Sequence, residues 1–284
     1  MTSLKHVKVG FLTKALALVT TLAFSGAYGE SLESAKITRI TNKVDIVVAG
    51  KSPVPATVGE IIQGSTGVKT EANSRTELMF PDQTLARLGA NTLFSFESGT
   101  RNVELKNGIL LLQVPKNAGG AKITTAPVTA AITGTTILVQ YDPKNKNSFS
   151  LTVVEGSVKL SSNSNASTVT IGPGKTISYS SDTNKFSVPQ NANIGELMKS
   201  SNLLKAGPLG NKDEINAVLA LQEQLKAQGI ILELIETDSN NDPSANEAVF
   251  GGVNTNGGTL VPSGVGTASS GAGAPGNLGN QTSL

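Results

Sequence analysis

Carboxylates are the side chains of this sequence that could carry out acid–base chemistry. A glycoside hydrolase needs two of them in one cleft, and the candidates are Glu60, Asp82, Asp142 and Glu155. Nothing in their spacing pairs any two. The only histidine is His6, and the 284 residues include no cysteine. Without them, Ser-His-Asp and Cys-His arrangements and zinc sites are excluded after residue 29. We expect no enzyme, no cofactor and no metal site.

Two segments resemble ligand-binding loops superficially. Asp238 to Asp242 begins like a calcium loop, but the sixth and twelfth places hold Pro243 and Val249 instead of Gly and Glu. Gly172 to Thr176 ends like a phosphate-binding loop, but Val169 stands where the first glycine is needed. Neither segment predicts a site.

The N-terminus has the pattern of an export signal. A basic start precedes a mostly apolar run, residues 11–24, and small residues offer cleavage after Ala27 or Gly29. Residues 1–29 hold three lysines and no acid, so the remainder has 20 basic against 21 acidic residues. We expect signal cleavage, no transmembrane anchor afterwards, and a location in the periplasm or at the surface of a bacterium. The near-neutral charge predicts no nucleic-acid partner.

Residues 37–188 show many short alternating runs separated by turn residues, with no helical period. This pattern predicts a mainly β fold: one antiparallel, multi-stranded β domain, either a sandwich or a short solenoid. Its centre is a pair of strands, residues 136–141 and 149–154, with the latter continuing past Gly156 to Leu160. Asn107-Gly108 predicts a hairpin turn between residues 103–106 and 109–114.

After residue 188 the apolar residues recur at the spacing of a helix. Capping residues Asn193 and Asn211, each followed by Glu three places later, open two predicted helices that form a hairpin over 193–236 together with a short apolar segment. The hairpin could dock a partner, or its apolar face could cover the β domain. Residues 237–284 are rich in Gly, Asn and Ser, and predict a disordered tail.

Short sequence motifs follow one another along the β region, and they form two groups. An N-terminal group has Gly-acid-apolar, Thr, apolar-x-Phe, an Asp-led turn and a Leu-bearing strand. A C-terminal group has Gly followed by apolar residues, Thr-x-Pro, Gly-Thr and Val-x-Glu-Gly-x-Val. The residues at these positions are Gly59, Thr70, Phe80, Asp82, Leu88, Gly108, Thr125, Pro127, Gly134, Thr135, Glu155, Gly156 and Val158. In order and spacing, the stretch from Gly59 to Leu160 resembles the FecR domain.

The resemblance implies a β domain of the cell envelope that binds another protein or relays a signal. Well-known FecR proteins carry a sigma-regulating helical segment and a membrane span ahead of this domain, whereas here only a handful of residues precede the apolar run. We therefore expect a non-enzymatic exported protein that binds an envelope protein, in a signalling or scaffold role. Edge strands and the loops at residues 142–148 and 163–167 are the predicted contact surfaces.

The alternative is a structural or glycan-binding module of the cell surface or matrix. The motif residues themselves are interpreted as structural, with Gly at bends and Thr and Glu bonded to nearby amides.

Overall fold

A computed structural model describes residues 31–145 and 149–235 of the chain. The expected signal peptide at residues 1–29 and the expected disordered tail at residues 237–284 lie outside the described residues.

Strands dominate the described part of the chain, where they number 18. Strands make up 45% and helices 13% of the structure, which confirms the mainly β class. The first nine strands are β1 Ser34–Thr41, β2 Val44–Val47, β3 Val54–Pro55, β4 Ile61–Gln63, β5 Gly67–Thr70, β6 Arg75–Met79, β7 Leu85–Leu88, β8 Leu93–Phe96 and β9 Asn102–Val114. The others are β10 Ala121–Thr124, β11 Val128–Ile132, β12 Thr135–Tyr141, β13 Phe149–Glu155, β14 Val158–Ser162, β15 Thr168–Ile171, β16 Lys175–Ser180, β17 Lys185–Phe186 and β18 Gln190–Asn191.

Hydrogen bonds join these strands into one open network that lies in two sheets. Sheet A has the order β4-β1-β6-β7-β9-β12-β13-β16, with β17 and β18 both paired to β16. Sheet B has the order β3-β2-β5-β8-β9-β10-β11-β14-β15. The pairs are antiparallel except β9 with β10, which is parallel. The two sheets face each other across one core, and the chain passes repeatedly from one sheet to the other. We call this pair of facing sheets the sandwich.

Strand β9 belongs to both sheets. Its first part, to Asn107, pairs with β8 in sheet B, and its second part, from Gly108, pairs with β12 in sheet A. The predicted Asn107-Gly108 hairpin is therefore wrong. Gly108 has φ +101°, but Asn107 is not among the residues with positive φ, so the chain bends between sheets instead of reversing. A side chain at Gly108 would also overlap Thr92, which packs against it.

One hydrophobic core fills the space between the sheets. Phe80, which follows β6 of sheet A, makes an edge-on ring contact with Phe96 of sheet B at a centroid distance of 5.0 Å. The fully buried side chains around them are mainly Leu, Ile and Val from both sheets. Burial of this apolar surface is the main force that holds the sandwich together.

The predicted central pair is present as β12 and β13, in antiparallel register from Thr136 opposite Glu155 to Tyr141 opposite Phe149. The predicted continuation to Leu160 is wrong in one respect. The chain leaves sheet A at Gly156, and the next strand, β14, lies in sheet B.

Three helices follow the sheets within the described residues: α1 Ile194–Ser200, α2 Asn202–Lys205 and α3 Lys212–Ala227. The first predicted helix is thus interrupted at Ser201, whose backbone is extended (φ −68°, ψ 124°) and whose hydroxyl accepts from the amide of Leu204. Ser201 serves as the N-cap of α2, so the second piece starts in a new direction. None of these helices has the length and apolar character needed to cross a bilayer.

The helices lie on the outer face of sheet A. Apolar side chains of β9, β12 and β13 form a second core with the helices and the turn between α2 and α3. Its buried members are Ile109, Leu111, Leu138, Val154, Ala192, Ile194, Leu197, Leu203, Leu204, Leu209, Ile215 and Val218. The helical segment therefore covers the β structure, as one of the two sequence-based interpretations expected. All seven residues of β12 are consequently buried, on both faces of the strand.

Candidate partner-binding surface

Two motif glycines, Gly134 and Gly156, meet Glu155 at the corner where the chain passes between the sheets. Gly134 precedes β12 and Gly156 follows β13, so the two glycines are neighbours. A Cβ on Gly156, whose φ is +80°, would lie 2.7 Å from the Gly134 carbonyl oxygen. Thr135 beside them is buried, and its hydroxyl donates to the carbonyls of Thr133 and Ser157. The contacts of this corner are thus made within the fold.

Glu155 connects this corner to the helices. Its carboxylate accepts from the Thr136 hydroxyl at 2.6 Å and from the backbone amide of Asn211, the N-cap of α3, at 2.8 Å. The residue is 4% exposed. Gly210 lies so close to the carboxylate that any side chain there would overlap it. Glu155 is thus engaged in positioning α3.

A second motif group surrounds Thr92. The hydroxyl of Thr70 donates to the Gly89 carbonyl at 2.5 Å and accepts from the Thr92 amide at 2.9 Å. The hydroxyl of Thr92 in turn accepts from the amide of Ile109, next to Gly108. These bonds tie β5 to the bend in β9.

Asp82 forms a third group, at the β6–β7 turn. Its carboxylate accepts from the amide and hydroxyl of Thr84 at 2.9 and 2.8 Å, and from an Nη of Arg101 at 2.6 Å. Phe80 before it, and Leu88 and Val158 elsewhere in the motif, are buried in the core between the sheets. Gly59 occupies a turn with φ +93°, where its amide donates to the Ile37 carbonyl. The motif positions therefore fall into separate groups and do not converge on one site.

A buried ion pair that sequence reasoning missed holds the turn after α2. Arg87 of β7 donates from Nε to Glu77 at 2.7 Å and from Nη1 to the Leu203 carbonyl at 2.9 Å. Burial acts to raise the pKa of Glu77, but the hydrogen bonds from Arg87 and Thr38 outweigh it, and the pKa lies below its usual range. No sequence pattern links Arg87 to a carbonyl more than a hundred residues away.

One group of exposed apolar side chains lies at one end of the sandwich, where both sheets finish. Others lie outside this group, at Val188, Leu221, Ile230, Ile231 and Leu234. The segment from Val54 to Ile61 forms the edge strand β3 of sheet B, crosses over, and forms the edge strand β4 of sheet A. Val54, Val58 and Ile61 are 59%, 62% and 61% exposed. We call these three side chains the edge patch. The sequence pattern does not indicate that Val58 and Ile61 face solvent.

The two loops predicted as contact surfaces differ in how they are held. In the 163–167 loop, the side-chain NH₂ group of Asn163 donates to the carbonyls of Thr125 and Ala126 at 3.0 Å, so this loop is tied to its neighbours. In the 142–148 loop, Asp142 accepts from the amide of Lys144, and residues 146–148 lie outside the described residues.

Aromatic side chains do not form a platform on the described surface. Tyr141 and Tyr179 are 6% and 1% exposed, and burial raises the pKa of Tyr141. The Tyr179 hydroxyl is hydrogen-bonded to Ser162 and Ser164 between the sheets. Over residues 31–145 and 149–235, no three His, Cys, Asp or Glu side chains lie together in a metal-binding group.

Comparison with known proteins gives one family match. Residues 66–159 match the sequence model of the FecR protein family. No curated protein matches the chain. Two crystal structures of a candidate anti-sigma factor from Parabacteroides distasonis are similar, at 13% and 14% identity and TM-scores of 0.40 and 0.39. Each alignment covers 61% of this chain and 95% of that chain. The family match confirms the resemblance inferred from the motif residues, over residues 66–159, from β5 into β14.

Proposed function

We propose that this chain is a non-enzymatic, exported FecR-like protein that binds a protein partner in the cell envelope, in a signalling or scaffold role. The FecR match supports the signalling or regulatory class. The observation that carries the proposal is the edge patch, because its side chains are apolar and solvent-exposed and lie on two edge strands, β3 and β4, and on the turn between them.

The edge patch is suited to a protein partner on two grounds. Strand β4 pairs with β1 on one side only, so its other side offers backbone groups to an added strand. Each exposed Val or Ile side chain that a partner covers contributes roughly 1.5–3 kcal/mol of transfer free energy before the costs of association. Pro55 in β3 lacks an amide donor, which directs strand addition to β4 in preference to β3.

The non-enzymatic part of the proposal rests on the carboxylates. The two oxygens of Glu155 accept from Thr136 and Asn211, and those of Asp82 accept from Thr84 and Arg101. The glycan-binding alternative lacks a comparable observation, because stacking on a sugar needs an exposed aromatic face and the described aromatic side chains are buried or half-buried.

The edge patch gives a direct test of the proposed function. The full chain, its Ile61→Lys variant and its Val188→Lys variant would each be crosslinked in the source cell's envelope and captured. Val188 is the matched control, since it is 79% exposed but lies away from the β3–β4 segment. We expect one dominant protein partner with the wild type and the control, and loss of that partner with Ile61→Lys while the melting temperature stays unchanged.

Two outcomes would contradict this proposal. Retention of all three proteins on insoluble envelope glycan, without a protein partner, would favour the glycan-binding alternative. Capture of the same partner by Ile61→Lys at wild-type level would show that the edge patch is not the contact.

A further inference from the structure

A cavity of about 190 Å³ lies where sheet A meets α2. We call it the arginine cavity, since β1, β6 and β7 each contribute one arginine to it. Its lining residues are Arg39, Thr41, Arg75, Thr76, Glu77, Arg87, Asn202, Leu203 and Ala206. The volume is large enough for several water molecules, and therefore for one small polar ligand.

The lining carries a positive excess. Three arginines face one carboxylate, Glu77, so two positive charges are not balanced within the lining. Both oxygens of Glu77 are already engaged, one by the Thr38 hydroxyl at 2.8 Å and the other by Nε of Arg87 at 2.7 Å. Because a guanidinium group stays charged at any physiological pH, the excess cannot be relieved by losing protons.

Several arginine donors have no acceptor within the described residues. The side chain of Arg75 makes no hydrogen bond or ion pair there, and Arg39 uses only Nη1, which donates to the Ala206 carbonyl. Arg87 is 4% exposed, yet its Nη2 donates to no described acceptor. Arg39 is exposed and Arg75 is half-buried, so solvent can satisfy their remaining donors. The buried Nη2 of Arg87 has no such access, and a buried donor without a partner indicates a bound water or ligand.

We propose that the arginine cavity binds an oxyanion, a carboxylate or a phosphate group, through Arg39, Arg75 and the free Nη2 of Arg87. The planar fork of a guanidinium matches two oxygens of either group, and such charge-assisted bonds are about twice as strong as neutral ones. A bound oxyanion would join β1 and β6 to the arginine that holds α2, and so would stabilise the attachment of the helices. This site is independent of the edge patch.

The test is a titration of the full chain with inorganic phosphate and, separately, with acetate, each against chloride at equal ionic strength. Binding would be followed by the melting temperature and by the NMR signals of the arginine Nε–H groups. Two variants remove one positive charge each: Arg75→Gln in the cavity, and Lys159→Gln on the exposed face of β14 as the matched control. Neither side chain has a partner within the described residues, so both variants are expected to fold.

We expect saturable binding by the wild type and by Lys159→Gln, and a dissociation constant at least about tenfold larger for Arg75→Gln, as for the loss of one charge-assisted contact. Saturation by phosphate alone would assign the site to phosphoryl groups, and saturation by acetate alone would assign it to carboxylates, as on acidic peptides. No saturation by either anion would overturn the proposal. Equal weakening in both variants would overturn it as well, because it would show general charge screening.

Discussion

Glu155 illustrates how a single motif residue can have a structural role that its sequence neighbours do not reveal. The Val-x-Glu-Gly-x-Val pattern placed it correctly at the end of a strand, and Gly156 after it indicated a bend. Its bond to the amide of Asn211 could not be predicted, because that contact joins residues 56 positions apart. The turn between α2 and α3 contains Gly210, and the need for glycine beside the carboxylate follows only from the structure.

Replacement of Glu155 tests this role. In Glu155→Ala the Thr136 hydroxyl and the Asn211 amide lose their acceptor in a buried place, and we expect the free energy of unfolding to fall by about 2–4 kcal/mol. Glu155→Gln should lose less, since its amide oxygen can accept from Asn211 while the Thr136 hydroxyl accepts from its NH₂ group. Urea denaturation measures both values.

Glu223→Ala is the matched control for Glu155. The Glu223 side chain is 73% exposed and pairs with Lys226 on the surface of α3, so its loss should change stability by less than about 1 kcal/mol. Wild-type stability of Glu155→Ala would refute the structural role and would reopen the question of an enzymatic carboxylate.

At the scale of elements, the attachment of the helices to sheet A combines apolar packing with a few buried polar contacts. Leu111 and Leu138 provide apolar surface from the sheet, and Arg87 and Glu155 fix the turn between α2 and α3 at its two ends. The sequence predicted the helices from their caps and apolar spacing. It did not predict the break at Ser201, since a serine in the middle of an apolar pattern is also compatible with a continuous helix.

Removal of Arg87 tests the polar part of this attachment. Arg87→Met keeps much of the side-chain volume but leaves Glu77 without its buried partner and the Leu203 carbonyl without its donor. Breaking a buried pair in this way costs roughly 3–5 kcal/mol. We expect a loss of that size in urea denaturation, together with faster hydrogen exchange of the amides in α1 and α2.

Lys69→Ala is the matched control for Arg87→Met, because it removes an ion pair that is exposed instead of buried. Lys69 pairs with Glu71 at 2.8 Å, but the two side chains are 45% and 36% exposed. Such surface pairs contribute about 0–1 kcal/mol. Equal losses in Arg87→Met and Lys69→Ala would show that the helices do not depend on the buried pair.

At the scale of the whole molecule, β9 makes the two sheets one structure. The sequence predicted that the fold is mainly β, and it located the central pair within one residue at each end. It could not assign strands to sheets, since the bends at Gly108 and Gly156 resemble hairpin turns or bulges in the sequence. The alternation of buried and exposed residues that is expected for a strand is also absent from β12, because the helices bury the face that would otherwise be exposed to solvent.

Replacement of Gly108 tests whether the stability of each sheet depends on the other through β9. Gly108→Ala must hold a left-handed φ, which costs roughly 1–2 kcal/mol, and its Cβ would also collide with Thr92. We expect a total loss of at least about 2 kcal/mol and faster amide exchange in β8 and β12 alike. Gly172→Ala is the control, since a Cβ there meets no atom within 4 Å and its φ is not positive. Faster exchange confined to one sheet would show that the sheets unfold separately.

The strand order has a consequence for how the chain assembles. In both sheets, apart from the inverted pairs β3-β2 and β4-β1 at their first edges, position in the sheet follows position in the sequence, with β9 in the middle of both. Each strand that emerges during synthesis can therefore add to an edge that earlier strands have already made, so that the sandwich grows sideways from its N-terminal end. Later strands add on the far side of β9, and none of the described ones covers β3 and β4. The edge patch is thus the starting edge of this growth, which the protein's own later strands leave open.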